Sequence, residues 1–220
     1  MRLLPEALIA LVSLAGCGAD TINASQAVVQ RAQYVDKTDP PYVTLFTVIN
    51  NQNGAGAHSG LLINGSQRVL FDPAGSWVSP ASPEKQDVHY GVTDGVLRFY
   101  IDYHARKAYR VMEQTVRVSL ATANELIAAA EAHGAAPKAF CAISISQVLD
   151  KLPQFHRAIF PTFFPNQLSR EFGRIAGVSH VVVYDNDSND HSVMLLGNAT
   201  GTETTNTHMS TVGGASVIPH

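Results

Sequence analysis

The sequence has little charge and few cysteines, and these shortages exclude several classes of protein. Charged residues make up 15% of the 220 residues, and the formal net charge is −3. A chain of this kind carries no electrostatic footprint for nucleic acid, so a nucleic-acid partner is not expected. The hydrophobic content of 45% is high enough for a real core. One domain with extensions at its ends fits this length and composition.

The chain also lacks the usual patterns for disulfides and metal. Cys17 and Cys141 are its only cysteines, and they cannot build a disulfide scaffold or a thiolate zinc site. The nine histidines are scattered, with no HExxH motif and no close histidine pair on a helical face. The sequence therefore indicates neither a metal nor a cofactor.

The N-terminus has the parts of a bacterial lipoprotein signal. Arg2 precedes an apolar run from Ala7 to Leu14, and the run ends in Leu14-Ala15-Gly16-Cys17. An apolar run of this length is typical of a secretory signal and is too short for a permanent membrane span. The four residues resemble the lipobox, which implies that residues 1–17 are a lipoprotein signal peptide with its lipobox, and that Cys17 is acylated and becomes the first residue of the mature chain. An ordinary N-terminal helix is the alternative.

The expected location follows from the lipobox. Gly18, in place of aspartate, resembles the outer-membrane sorting pattern of Gram-negative lipoproteins. That pattern implies a lipid-anchored protein of the bacterial cell envelope, facing the periplasm. Residues 18–40 are polar and lead through Pro40 and Pro41 into the domain, so we expect them to form a tether. Cys141 would then be the sole thiol of the mature chain.

The remaining residues predict an α+β domain at 41–197 with an antiparallel sheet packed on helices. Periodicity and turn signals predict strands at 42–50, 58–63, 66–72, 96–102, 108–120, 179–184 and 191–196, and helices at 121–133, 136–152 and 166–176. The Pro- and Gly-rich stretch 73–94 predicts a long surface loop. The stretch 155–165 predicts no regular helix, and its phenylalanines are interpreted as packing residues or an acyl-binding wall. Residues 198–220 predict a disordered tail.

Cys141 lies near the start of the helix predicted from Pro137. It shares one apolar face with Ile145, Val148 and Leu149. A thiol at this position sees the positive end of the helix dipole, which favours the reactive thiolate. The alternative is that Cys141 is a small packing residue.

A thiolate nucleophile needs a base within reach, and the sequence offers two histidines. His58 begins a predicted core strand directly after a glycine-rich loop. His191 also begins an apolar strand, and it precedes a low-complexity tail. We favour His58, since a hairpin and an aspartate accompany it; a structural, hydrogen-bonded histidine is the alternative. His156 and His180 are interpreted as structural or cleft-wall residues.

These features together resemble the circularly permuted branch of the NlpC-type papain-like superfamily. The matching residues are the strand that begins at His58, the following strand that ends in Asp72-Pro73, and Phe140-Cys141 at a helix start. The resemblance implies a permuted papain-like fold in which Cys141 is the nucleophile and His58 the base. Members include bacterial envelope amidases and peptidases, and lecithin:retinol acyltransferase-like enzymes are relatives.

Asp72 is the natural third residue, but its orientation depends on the hairpin register. A two-residue Asn64-Gly65 loop would pair His58 with Phe71 and turn Asp72 to the opposite face. One further loop residue, or one bulge, would bring Asp72 opposite His58. A turn-capping role before Pro73 is the other alternative.

The expected function is therefore a lipid-anchored thiol hydrolase of the cell envelope. Its partners would be the membrane, through the anchor, and a small peptide or acyl substrate such as a peptidoglycan peptide. Two alternatives stay open: a catalytically inactive binding or scaffold lipoprotein, and a lipid ester or thioester hydrolase or acyltransferase.

Overall fold

The computed structural model describes residues 22–191 and the backbone of a strand at 210–214. Its helices are α1 (Gln26–Ala32), α2 (Asp94–His104), α3 (Leu120–His133), α4 (Cys141–Asp150) and α5 (Pro165–Phe172). Its strands are β1 (Tyr42–Asn50), β2 (Gly56–Asn64), β3 (Arg68–Phe71), β4 (Glu84–Lys85), β5 (Val88–His89), β6 (Tyr109–Arg117), β7 (Ser179–Tyr184) and β8 (Ser210–Gly214). None of the helices in the described residues is long and apolar enough to cross a membrane.

All the strands belong to one antiparallel sheet, as the sequence predicted. The order across the sheet is β4-β5-β3-β2-β1-β6-β7-β8. β1 is central and pairs along its length with β2 and β6. Most of its residues are β-branched or aromatic, and almost all are buried, which is the pattern of a strand that is covered on both faces. The α+β class is confirmed.

The two faces of the sheet carry separate hydrophobic clusters. On one face, Val43 and Leu45 of β1 pack in a cluster with α3, α4 and α5. On the other face, Phe46 and Val48 pack with α2 and with Trp77. Each cluster removes several large side chains from water, and such burial is the main stabilising term of the fold. The sheet therefore separates α4, which carries Cys141, from α2.

Helix α2 corrects one prediction, since residues 96–102 were expected to be a strand. Thr93 caps the helix by accepting a hydrogen bond from the Val96 amide. Val96, Tyr100 and Tyr103 are buried at steps of four and three, which is one face of a helix. The 73–94 stretch is not simply a surface loop either. It contains β4 and β5, and its Trp77 is only 1% exposed.

Several element boundaries also differ from the predictions. α3 is capped by Ser119, which accepts from the Thr122 amide, whereas Thr122 itself was expected to be the cap. Gly134, with φ of +78°, ends this helix as predicted. The helix predicted to start at Pro137 begins only at Cys141.

The ends of the domain are more ordered than expected. In the segment predicted to be a tether, α1 buries Val29 in the core, and the Ala24 amide donates to the Glu84 carbonyl at 2.8 Å. The described part of residues 18–40 is therefore packed on the domain. Within the predicted disordered tail, β8 pairs with β7. Residues 1–21, with the lipobox and Cys17, and residues 192–209 and 215–220 lie outside the described residues.

Candidate active site

Cys141 is the first residue of α4, and its position depends on a tight turn before the helix. The Phe140 amide donates to the Pro137 carbonyl, and Ala139 has a φ of +68°, which is uncommon for a residue with a side chain. No side chain caps this helix. The first amides of α4 are therefore left to other acceptors. One of them, the Ala142 N–H, donates to the Cys141 sulfur.

The sulfur reaches β2 at a point where that strand has a free edge. β3 pairs with β2 only from Asn64 back to Leu61, so the first half of β2 has no strand on that side among the residues that the structure describes. The Ser59 N–H donates to the Cys141 sulfur along this edge. His58, the preceding residue, forms a side-chain hydrogen bond with Cys141. At this edge, Cys141 of α4, which packs on one face of the sheet, therefore contacts His58, whose side chain lies on the other face.

His58 is held between Cys141 and Asp72. Its Nε2 lies 2.7 Å from Asp72 Oδ1, which leaves Nδ1 for the sulfur. The side chain of His58 is 14% exposed and that of Asp72 only 1%. A carboxylate accepts hydrogen bonds and cannot donate them, so His58 Nε2 carries the proton in this pair. The three side chains form a continuous chain from thiol to imidazole to carboxylate.

Asp72 reaches His58 through a register that neither sequence alternative described. Asn64 pairs with Arg68, so the hairpin loop has three residues, 65–67. Continuing this register places Asp72 across from Gly60, on the same face as His58 but two residues along the strand. Gly60 is necessary here, because an added Cβ would collide with the Tyr100 hydroxyl and lie 3.3 Å from Asp72 Oδ1. A clash between side chains is thus avoided by the glycine.

The charges of these groups are strongly coupled. Burial disfavours charge on His58, but the ion pair and hydrogen bond with Asp72, together with the hydrogen bond to Cys141 and its charge, outweigh burial and raise the pKa of His58 to about 10. Burial would raise the pKa of Asp72, yet the His58 imidazolium holds it well below its usual range. Burial likewise opposes the Cys141 thiolate, but hydrogen bonding to His58 and its charge lower the thiol pKa. The arrangement favours a thiolate–imidazolium pair at neutral pH.

The alternative base, His191, packs against α2 and not against Cys141. Its ring packs against Tyr103 with centroids 4.1 Å apart, and burial lowers its pKa. Within the described residues it makes no interaction with Cys141. It lines a cavity of about 290 Å³ together with His58, His104 and Tyr103. This cavity opens onto the imidazole of the candidate site.

The other two histidines of the sequence analysis and the phenylalanines of residues 155–165 differ in their surroundings. His156 is exposed and pairs with Asp150 at 2.9 Å, and His180 lies in β7. Phe155 is buried in the core, as a packing residue. Phe163 is 52% exposed, and its ring packs at 5.2 Å against Phe140, the residue before Cys141.

Sequence reasoning missed two residues on α2 that belong to this site. The Tyr100 hydroxyl donates to Asp72 Oδ1 at 2.8 Å. The ring of His104 stacks on His58 with centroids 5.5 Å apart. Both residues follow the helical spacing from Val96, which would have indicated one helix face had residues 96–102 not been interpreted as a strand.

No family model, no curated protein and no solved structure matches this chain.

Proposed function

We propose that this protein is a thiol hydrolase in which Cys141 attacks a carbonyl carbon of an amide or ester. The observation that carries the proposal is the contact of Cys141, at the start of a helix, with an imidazole that is itself paired to the buried Asp72 at 2.7 Å. A nucleophile, a base and a group that orients the base are the parts that covalent catalysis requires. The lowered pKa of the Cys141 thiol supports this assignment.

In the proposed reaction, the Cys141 thiolate forms a bond to the carbonyl carbon, and the carbonyl oxygen becomes negatively charged. Amides of the first turn of α4 are suited to stabilise this oxyanion, since they lie at the positive end of the helix. The intermediate collapses as the His58 Nδ1 proton passes to the leaving amine or alcohol. The product is a thioester on Cys141.

A water molecule then attacks the thioester carbon while His58 takes its proton. The acid product leaves, and the thiolate–imidazolium pair is restored. Asp72 stays ionised throughout and keeps the ring oriented, because its carboxylate accepts from both His58 Nε2 and Tyr100. If the substrate is an envelope amide, the enzyme is an amidase or peptidase acting on peptidoglycan peptides. That substrate and the lipid-anchored, outer-membrane location are supported by the sequence resemblances alone.

A second candidate substrate is an acyl ester or thioester. The observation in its favour is a set of exposed phenylalanines: Phe140 directly before the nucleophile, and Phe160, Phe163 and Phe164 in a later segment, of which Phe163 packs against Phe140 with ring centroids 5.2 Å apart. These side chains are 40%, 58%, 52% and 68% exposed. Large apolar side chains that cluster on a surface mark binding sites more often than isolated ones do. An acyl chain that lies on this surface would place its carbonyl near Cys141.

Thiol alkylation tests the proposal without knowledge of the substrate. Cys141 of the purified protein is treated with iodoacetamide at neutral pH, and the rate is compared with those of His58→Ala and His156→Ala. We expect rapid alkylation that falls at least about tenfold in His58→Ala and is unchanged in His156→Ala. A thiol that reacts only after unfolding would refute the hydrolase and support a non-catalytic binding or scaffold protein.

Turnover gives the second test. Wild-type protein and Cys141→Ala are incubated with peptidoglycan fragments and with acyl esters and thioesters of increasing chain length. Hydrolysis by the wild type that is absent in Cys141→Ala identifies the substrate class. Equal hydrolysis by both proteins would contradict the proposed mechanism.

A further inference from the structure

His104 is a buried imidazole that the proposed reaction does not use. It lies in the last turn of α2, where its Nδ1 is 2.9 Å from the carbonyl oxygen of Tyr100. A carbonyl only accepts hydrogen bonds, so Nδ1 carries a proton, and the neutral form of the ring has its lone pair on Nε2. Burial disfavours the charged form of this ring and lowers its pKa. A neutral imidazole with a fixed tautomer is a good metal ligand.

Three potential ligand atoms converge at this point. One nitrogen each of His58 and His104 and one carboxylate oxygen of Asp72 all lie within 4.8 Å of one another. The second carboxylate oxygen, Asp72 Oδ2, is buried and has no hydrogen-bond partner in the described part of the chain. An unsatisfied buried carboxylate oxygen is costly, and a cation held by the same carboxylate would reduce that cost.

The surroundings of these ligands match those of zinc sites. In metal sites, a histidine usually donates its second N–H to a backbone carbonyl, and ligating carboxylates accept further hydrogen bonds. His104 donates in this way to Tyr100, and Asp72 accepts from the Tyr100 hydroxyl at 2.8 Å. The cavity that contains His58 and His104 provides an entry path and room for a water ligand.

We propose that His58, Asp72 and His104 bind one divalent transition metal ion of the zinc type, and that this ion competes with the His58–Asp72 pair. A tetrahedral zinc holds its N and O ligands roughly 3.4 Å apart. The His58–Asp72 distance of 2.7 Å must therefore increase by about 0.7 Å. The His104 nitrogen, which lies within 4.8 Å of both other ligand atoms, must approach them by rotation of its side chain. Water from the cavity completes the coordination.

Binding exchanges one proton for the metal. The ion takes the position of the Nε2 proton of the His58 imidazolium, and that proton is released to water. Nδ1 keeps its proton and its contact with Cys141. The sulfur meets the opposite edge of the His58 ring, so Cys141 is not a ligand in this site. Because the metal-bound ring can no longer hold two protons, we expect Zn²⁺ to inhibit the enzyme reversibly, a consequence that rests on the proposed function.

Calorimetric titration with Zn²⁺ tests the binding directly. The full chain, purified without a polyhistidine tag, is compared with His104→Gln, Cys141→Ala and the exposed control His156→Gln. We expect one ion per chain in the wild type, Cys141→Ala and His156→Gln, and affinity about 100-fold or more lower in His104→Gln. Circular dichroism and thermal unfolding of His104→Gln show whether that variant is folded.

Titration with Co²⁺ gives an independent readout of the ligands. A site of two histidines and one carboxylate gives cobalt d–d absorption without a thiolate-to-cobalt charge-transfer band. Binding that is lost in Cys141→Ala but kept in His104→Gln, with the thiolate band present, would overturn the proposal in favour of a simple Cys–His metal complex. The absence of binding in the wild type would also overturn it. Since Cys141→Ala cannot act as a thiol hydrolase, binding by that variant is independent of whether the proposed function is correct.

Discussion

Replacing Asp72 by asparagine tests the electrostatic core of the site. The asparagine carbonyl can still accept from His58 Nε2 and from the Tyr100 hydroxyl, so the geometry is largely retained. The negative charge at 2.7 Å from the imidazole is lost. The largest influence on His58 is then burial, which disfavours the charged ring. We expect the pKa of His58 to fall from about 10 to below its ordinary value of 6.5.

The consequence for Cys141 can be estimated. Without an imidazolium partner, the thiol returns towards its ordinary pKa, at which only a few per cent is thiolate at pH 7. We therefore expect the alkylation rate at neutral pH to fall by roughly 10- to 30-fold. Above the ordinary thiol pKa, both proteins are thiolates and their rates should converge. The asparagine NH₂ would also occupy the site of the unpartnered Oδ2, which we expect to cost about 1–3 kcal/mol of unfolding free energy.

The assay is the alkylation rate of Cys141 measured as a function of pH. Asp102→Asn is a matched control, because Asp102 is a mostly buried carboxylate on α2 that interacts with Arg106. We expect this control to change stability but to leave the pH profile in place. If the Asp72→Asn and wild-type profiles superimpose at neutral pH, then Asp72 does not control the charge of the pair and the reasoning is wrong.

Three further predictions follow from the same contacts. Gly60→Ala should lower the unfolding free energy by about 1–3 kcal/mol and slow alkylation of Cys141, because the added methyl group displaces the Tyr100 hydroxyl that donates to Asp72. A variant with wild-type stability in denaturant unfolding would contradict this packing. In a Cys141→Ala background, the unfolding free energy should fall as the pH rises above 6.5, because Asp72 still raises the folded-state pKa of His58 and the contribution of His58 is complete only below its unfolded pKa. His58→Gln in that background should lack this slope, and an equal slope would assign it to another group. Phe163→Ala should raise KM for long-chain but not short-chain acyl esters; equal changes for both would remove the acyl-binding role.

The elements that the sequence predicted well are those with one unambiguous period. β1 is a run of β-branched and aromatic residues, and α3 ends at a glycine whose φ of +78° suits that residue. α2 was misassigned because Val96, Leu97, Phe99 and Ile101 fit a strand nearly as well as a helix. The packing of α2 against Trp77 favours the helix. Trp77 belongs to a segment that was expected to lie on the surface. A tertiary contact of this kind cannot be read from a local pattern.

The same limit explains the candidate site. Cys141 and His58 could be proposed from the sequence because Cys141 begins α4 and His58 lies near the start of β2, and the starts of helices and strands have local sequence signals. Asp72 could be proposed as the third residue of the site, but the direction of its side chain could not be predicted, because a single residue in the hairpin loop determines which face of the sheet it occupies. The structure adds the reason that a three-residue loop is tolerated: Gly60 lies opposite Asp72 and leaves room for the Tyr100 hydroxyl. The orientation of the carboxylate is therefore a joint property of a turn, a glycine and a helix on the far side of the sheet.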